Sequence, residues 1–180
     1  MTTYTHHAKR PAFFPPESLP WLAEIQPHWP AIREEARRAL AALEEQLGDE
    51  TGGPSWILPL VPEPEDEHVF KPEVLSRARE LSPVTVGLMA KAPAVAAYAF
   101  AKLAAGTHIP EHDHWNPYFT AMLCLQDGGG SHLIVNGERR DFKTGAIVLF
   151  DYTLPHEVRN TGHEDRLVLL MLVPRSARVA

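Results

Sequence analysis

From about residue 84 onward the chain is cut into short apolar runs by turn signals, and this pattern limits the folds open to it. The runs are Val84-Thr85-Val86, Val95 to Leu103, Pro117 to Leu125, Leu133-Ile134-Val135, Ala146 to Phe150 and Leu167 to Val173. Val95 to Leu103 is rich in alanine and suits a helix as well as a strand; its neighbours favour strand. Asp127-Gly128-Gly129-Gly130 reads as a turn, and Asn136-Gly137 is the strongest short hairpin signal, because both residues tolerate positive φ. Leu167 to Val173 is apolar at every position, as expected of a strand buried on both faces. With the stretch around His112 and that around His156, this gives seven or eight short strands, with helices only before them. The expectation is a mainly β fold, a jelly-roll or cupin-like barrel with N-terminal helices packed outside.

Residues 1 to 20 hold Pro11, Pro15, Pro16 and Pro20 and read as an irregular arm, followed by a short apolar segment at Trp21, Leu22 and Ile25. Pro30 stands where a helix first turn tolerates proline. Ile32, Ala36, Leu40, Leu43 and Leu47 then recur at helical spacing until Gly48, which predicts an amphipathic helix over about 30 to 47. Residues 49 to 72 read as a loop-rich connection, acidic at Glu63, Glu65, Asp66 and Glu67, and a second helix is expected over about 73 to 81. We read one domain over 1–180, with arm and helices in 1–83 and the barrel core in 84–175.

Composition narrows the function. Lys plus Arg is 17 and Asp plus Glu is 23, a net charge of −6 without a basic patch, which argues against nucleic acid and against an anionic membrane surface. Cys124 lies in an apolar run and reads as a small buried hydrophobe. The polar start Met1 to Arg10 lacks an apolar signal region, and no stretch reaches the length of a membrane span, so a cytoplasmic location is expected.

The chemistry concentrates in Gly106-Thr107-His108-Ile109-Pro110-Glu111-His112-Asp113-His114-Trp115-Asn116 and in Phe150-Asp151-Tyr152-Thr153-Leu154-Pro155-His156. Neutral imidazole is the commonest side-chain metal ligand. On an extended strand His112 and His114 point to one face and Asp113 to the other. A close histidine pair plus one distant histidine, His156, is the pattern of a mononuclear metal centre assembled between strands, read here as Fe(II). His6, His7, His28, His68 and His163 lie in polar or Pro-rich surroundings and read as surface residues.

Strand parity extends the argument. If the strand ran on without a bulge, Asn116, Tyr118, Thr120 and Met122 would share the inward phase of His112 and His114. Phe119, Ala121, Leu123 and Leu125 would then face an outer core. On the last strand Arg166 falls in phase with Val168 and Leu170. An arginine inside a small barrel calls for an anionic partner.

Gly106-Thr107-His108, then His112, then Phe150-Asp151 followed by His156-Glu157-Val158, then Arg166 ten residues after His156, resembles the aspartyl/asparaginyl β-hydroxylase family of Fe(II)/2-oxoglutarate oxygenases. Pro20-Trp21-Leu22 through Trp29-Pro30-Ala31-Ile32-Arg33-Glu34 is similar to that family's first helix. The resemblance implies a double-stranded β-helix with Fe(II) held by His112 and His156. It also implies 2-oxoglutarate paired through Arg166, with Asn116 and Thr120 on the same inner face, and O2 and a small molecule as the other substrates. His114 occupies the slot of the carboxylate that the wider oxygenase superfamily uses; the family itself works without that carboxylate. The family's basic residues on the strand after the first histidine are missing from Pro117-Tyr118-Phe119-Thr120-Ala121-Met122. Ala101 stands where the family can place a hydroxyl. A small or amphipathic substrate is therefore expected in place of an acidic peptide side chain.

Two other functions fit parts of the pattern. In a three-histidine cupin dioxygenase, Gly106 followed by five residues and His-x-His matches the first motif. Gly145, His156 and Asn160 match the second in part, while Asp151 and Thr153 depart from it. A metal-binding sensor barrel would keep the histidines without needing Arg166. The sequence leaves the oligomeric state open.

Overall fold

The structure is a computed structural model that describes residues 10–46, 55–115 and 118–176. Ten strands form two antiparallel sheets: β1 (Phe13–Phe14), β2 (Ser55–Val61), β3 (Ala97–Leu103), β4 (His108–His112), β5 (Tyr118–Asp127), β6 (Ser131–Val135), β7 (Glu138–Asp141), β8 (Ile147–Asp151), β9 (His156–Asn160) and β10 (Arg166–Pro174). The larger sheet has the order β1-β8-β5-β10-β3-β2 and the smaller β4-β9-β6-β7. The helices are α1 (Leu22–Ile25), α2 (Trp29–Leu43), α3 (Pro72–Glu80) and α4 (Pro83–Met89). This is the expected mainly β jelly-roll with helices packed outside.

Two cores explain why the middle stretches of β5 and β10 are apolar on both faces. Phe119, Ala121, Leu123 and Leu125 of β5, with Leu167, Leu169, Met171 and Val173 of β10, face outward. There they meet Ile32, Ala36, Ala39, Leu40 and Leu43 of α2. Met122, Cys124 and Val168 face inward onto Leu133, Val135, Phe142, Phe150 and Val158. A strand buried on both faces loses the polar-apolar alternation of a half-exposed one. The parity read from sequence holds on β5 and β10, although β4 ends at His112 and β5 starts at Tyr118. Asn116, between them, lies outside the described residues, as do His6, His7, Leu47 and Gly48.

The hairpin at Asn136-Gly137 forms as expected, with φ of 49° and 80° joining β6 to β7. Two expectations are corrected. Val84-Thr85-Val86 does not open the sheet; it lies in α4. Pro83 begins that helix, and the buried Glu35 carboxylate of α2 accepts the Val84 N–H at 2.7 Å, the Thr85 N–H at 2.9 Å and the Thr85 hydroxyl at 2.7 Å. A neighbouring helix thus supplies the cap that the N-cap residue Ser82 does not. Residues 49 to 72 are not all connection, because β2 occupies Ser55–Val61 within them. Among the described strands β2 is the last of its sheet, where Pro59 costs no ladder bond on the side away from β3. Among the described residues no helix is long and apolar enough to cross a membrane.

Candidate metal centre and barrel interior

Three histidines converge at one end of the barrel. β4 and β9 pair antiparallel with His112 opposite His156, which places their rings 4.3 Å apart. His114, just past the end of β4, completes the group, with its ring 5.1 Å from His112 and 5.5 Å from His156. Each offers a ring nitrogen, and these nitrogens lie within 4.8 Å of one another.

The backbone sets the tautomers. His112 Nδ1 lies 2.8 Å from the Pro110 carbonyl and His156 Nδ1 lies 2.8 Å from the Leu154 carbonyl. A carbonyl only accepts, so each Nδ1 carries the proton and each Nε2 presents its lone pair. This is the second contact that commonly orients a metal-bound histidine. Proline aids both geometries: Pro110 supplies its own carbonyl, and Pro155 fixes the chain just before His156.

Burial favours the neutral form of His114 and His156. Burial pushes the His114 pKa down to about 4, with further lowering from His156 and His112. Burial also lowers that of His156, which is 3 % exposed. His114 stacks on Tyr152 at 3.8 Å with the planes 9° apart. Burial, and then Glu63 and Asp66, raise the Tyr152 pKa, so its hydroxyl stays protonated.

The turn that carries His156 is tied down by Asp151. Its carboxylate accepts the Thr153 N–H at 3.0 Å and the Thr153 hydroxyl at 2.8 Å, and it pairs with Arg175 and, at 3.7 Å, with Arg10. Burial pushes Asp151 up, but the hydrogen bonds from Arg175 and Thr153 outweigh it and leave its pKa below the usual carboxylate value.

Deeper in the barrel Arg166 is 3 % exposed, and its Nε and Nη1 have no hydrogen-bond partner. Its guanidinium carbon stands 5.0 Å from the Phe142 ring centroid, and burial pushes its pKa down to about 10. Two buried hydroxyls are likewise unpartnered, Thr120 Oγ1 and Ser131 Oγ. Thr120 is in phase with the inward Met122 and Cys124, and Ser131 with the inward Leu133 and Val135. A buried cation and two hydroxyls left unpaired cost several kcal/mol by the usual measure of about 1–3 kcal/mol per unsatisfied group. An unpaired guanidinium suits an anionic ligand, with Ser131 on its side of the barrel; Thr120, opposite Leu172, stands toward the histidine end. Sequence reasoning found Arg166 and Thr120 but missed Ser131, whose one signal is its phase with Leu133 and Val135.

A cavity of about 430 Å³ opens beside His114 and Tyr152. Ile57, Pro59, Leu170 and Leu172 wall it, and Glu63, Glu65 and Asp66 line it, with no lysine or arginine among the described lining residues. His28, His68 and His163 are exposed, as expected. His108 bonds Glu157 at 2.6 Å on the exposed face and does not join the triad.

Fold and site together define a β-barrel with a three-histidine centre at one end. The aspartyl/asparaginyl beta-hydroxylase profile matches residues 26–176, and the chain belongs to that family. Family membership supports a hydroxylase or oxygenase, and the histidine cluster could hold a metal ion. Among solved structures, the cupin domain of Schizosaccharomyces pombe Cnp3 is similar at 17 % identity and TM-score 0.40, over 47 % of this chain and 58 % of that one. A predicted oxalate decarboxylase from Thermotoga maritima is similar at 23 % identity and TM-score 0.39, over 48 % of this chain and 72 % of that one. A Cupin_2 domain of an XRE family transcriptional regulator from Enterobacter cloacae gives 20 % identity and TM-score 0.39, over 44 % of this chain and 82 % of that one. Among curated proteins no significant match is found.

Proposed function

We propose that the protein is an Fe(II)/2-oxoglutarate-dependent oxygenase that hydroxylates a small or amphipathic substrate. The observation that carries this reading is Arg166, a buried guanidinium with two unpaired nitrogens inside the same barrel as the histidine triad. The donor set fits the cofactors. His112 and His156 present lone pairs fixed by backbone carbonyls, and neutral His114 supplies a third. Arg166, with its planar fork, pairs the distal carboxylate of the oxo-acid, and the Ser131 hydroxyl is free to donate to it, whereas Thr120, opposite Leu172 and Phe150, stands toward the histidine end. Iron with 2-oxoglutarate supplies the oxidising chemistry, in which O2 is reduced, the oxo-acid loses CO2 and the substrate gains a hydroxyl.

This chain's residues do the rest. Phe142, Met122, Leu133 and Val168 keep water from the Arg166 pair, which strengthens it. Tyr152 holds the His114 ring by stacking, and Asp151 holds the turn that presents His156. Ile57, Pro59, Leu170 and Leu172 offer an apolar wall for the substrate body beside the centre. With no cation among the described residues of that wall, the site does not favour a carboxylate side chain.

A three-histidine dioxygenase that needs no oxo-acid is the second reading, favoured by His114 in place of a carboxylate. Anaerobic addition of 2-oxoglutarate to the Fe(II)-loaded protein separates the two. The first expects a visible charge-transfer band that Arg166→Ala weakens at least tenfold in oxo-acid affinity. Absence of the band, with O2 uptake independent of oxo-acid, selects the second.

A further inference from the structure

We propose that Thr120 is a positioning residue for the oxo-acid: its hydroxyl donates to the carboxylate held at the histidine centre, at the opposite end of the ligand from Arg166. The proposal rests on the oxygenase reading for the identity of the ligand. The separation of two polar ends stands on strand register.

The partners of β10 order the inner face of the barrel. Arg166 lies opposite Leu103 of β3 and Asp127 of β5, at one end. Leu172 lies opposite Thr120 of β5, at the other. The backbone positions of Arg166 and Leu172 are about 20 Å apart along an extended strand. The smaller sheet repeats the order. Ser131 pairs with Asn160, and Val135 pairs with His156. The Asn160 side-chain amide donates to the Leu103 carbonyl at 3.1 Å, and the Ser131 carbonyl accepts the Phe142 N–H at 3.0 Å. Both contacts tie Ser131 to the Arg166 end, since the Phe142 ring lies against that guanidinium. Thr120 pairs with Phe150 of β8, whose ring stands 5.3 Å from that of His156. Among the described residues, the unpaired inward groups therefore fall into two sets. Arg166 and Ser131 share one end, and Thr120 stands at the histidine end.

Thr120 is fully buried, and its Oγ1 has no hydrogen-bond partner. Its cross-strand neighbours Phe150 and Leu172 carry no side-chain acceptor. Valine would fill the same space without burying an unpaired hydroxyl, so the hydroxyl opposes folding unless a ligand meets it. An oxo-acid has two ends to be met. Its distal carboxylate goes to Arg166, where Ser131 also stands. Its other carboxylate, beside the oxo group, goes to the histidine centre, where Thr120 supplies the unpaired donor. A hydroxyl that donates to a carboxylate is stronger in apolar surroundings than in water. Being uncharged, Thr120 orients that carboxylate without competing with the histidine centre for it. Branching at Cβ restricts its χ1, so the backbone of β5 fixes where the hydroxyl points.

The test reads binding to the Zn(II)-loaded full chain, so turnover does not enter. Two acids of different length separate the two ends. Pyruvate keeps the carboxylate and oxo group of 2-oxoglutarate but lacks the distal carboxylate. Calorimetry measures 2-oxoglutarate directly and pyruvate by displacement of 2-oxoglutarate, so that weak affinity is still measured. Thr120→Val should weaken both acids by about tenfold or more, the scale of a hydrogen bond to a charged group. Thr120→Ser, which keeps the hydroxyl, should recover most of that loss. Ser131→Ala should weaken 2-oxoglutarate by a similar factor and leave pyruvate unchanged. Zinc content should be the same in all four proteins. Without ligand, Thr120→Val should melt at the wild-type temperature or above, because the unpaired hydroxyl adds nothing to the fold. A Thr120→Val protein that binds pyruvate as tightly as the wild type, or that melts well below it without ligand, would overturn the assignment of Thr120 and leave the oxygenase reading standing. A wild type that binds neither acid would overturn the oxygenase reading and this assignment with it.

Discussion

Two carbonyls decide what His112 and His156 can do. Each holds Nδ1–H at 2.8 Å and leaves Nε2 as a lone-pair donor toward the other ring. His112→Ala or His156→Ala should therefore lose bound metal, read by elemental analysis, while far-UV dichroism stays that of the wild type. His114 is separable. If it ligates, His114→Ala weakens iron binding and His114→Asp restores it in part; equal affinity in all three proteins would place it outside the coordination sphere. The pH dependence follows from the depressed pKa of His114. An unfolded histidine gains its proton near about 6.5, whereas folded His114 resists until about 4. Between those values the unfolded chain binds more protons, so stability of the metal-free protein falls as pH drops through the window and levels below it. Urea titrations at pH 7, 5.5 and 4 check this, and His114→Ala should flatten the dependence. Spacing made His112 and His156 legible in the sequence, and strand phase made Arg166 legible. Ser131 was not, because a serine opening a strand after a glycine turn looks like any turn residue until its burial is known.

At the level of elements, the outer strands were harder to read than the inner ones. β5 and β10 are legible because burial on both faces demands a long apolar run. β2 is hidden among prolines that only an edge position permits. α4 is hidden because its first-turn N–H groups are capped from α2, by a glutamate 49 residues before Val84, which no local pattern records. Such a cap has a measurable worth. Glu35 is 4 % exposed, and its removal leaves the Val84 and Thr85 donors and the Thr85 hydroxyl without their acceptor. Glu35→Ala should destabilise the fold by about 1–3 kcal/mol, the usual cost of a buried group left unsatisfied. Glu35→Gln, which keeps one acceptor oxygen, should recover part of the loss. The midpoint of urea unfolding reads both, and a neutral Glu35→Ala would show that water replaces the carboxylate freely.

The whole molecule balances two cores of opposite purpose. The outer core, between sheet and helices, is closed by apolar packing. The inner one holds a guanidinium with two unpaired nitrogens, over a ring that offsets only part of the desolvation. A buried charge without its partner opposes folding, and apolar replacement of buried ion sites is often neutral or stabilising by about 1–4 kcal/mol. Arg166→Met, which keeps much of the length and removes the charge, should therefore melt at the same temperature as the wild type or higher when no oxo-acid is present. The order should reverse with ligand. For the metal-loaded wild type, 2-oxoglutarate at a hundred times its dissociation constant adds about 2.7 kcal/mol of stability, because it binds only the folded chain. The methionine variant, lacking the pair, should gain little. Melting curves of both proteins, with Zn(II) in place of iron and with and without 2-oxoglutarate, test the two halves together. A variant that melts well below the wild type without oxo-acid would mean that Arg166 already serves the fold. A variant that gains as much as the wild type with oxo-acid would mean that the anion binds elsewhere.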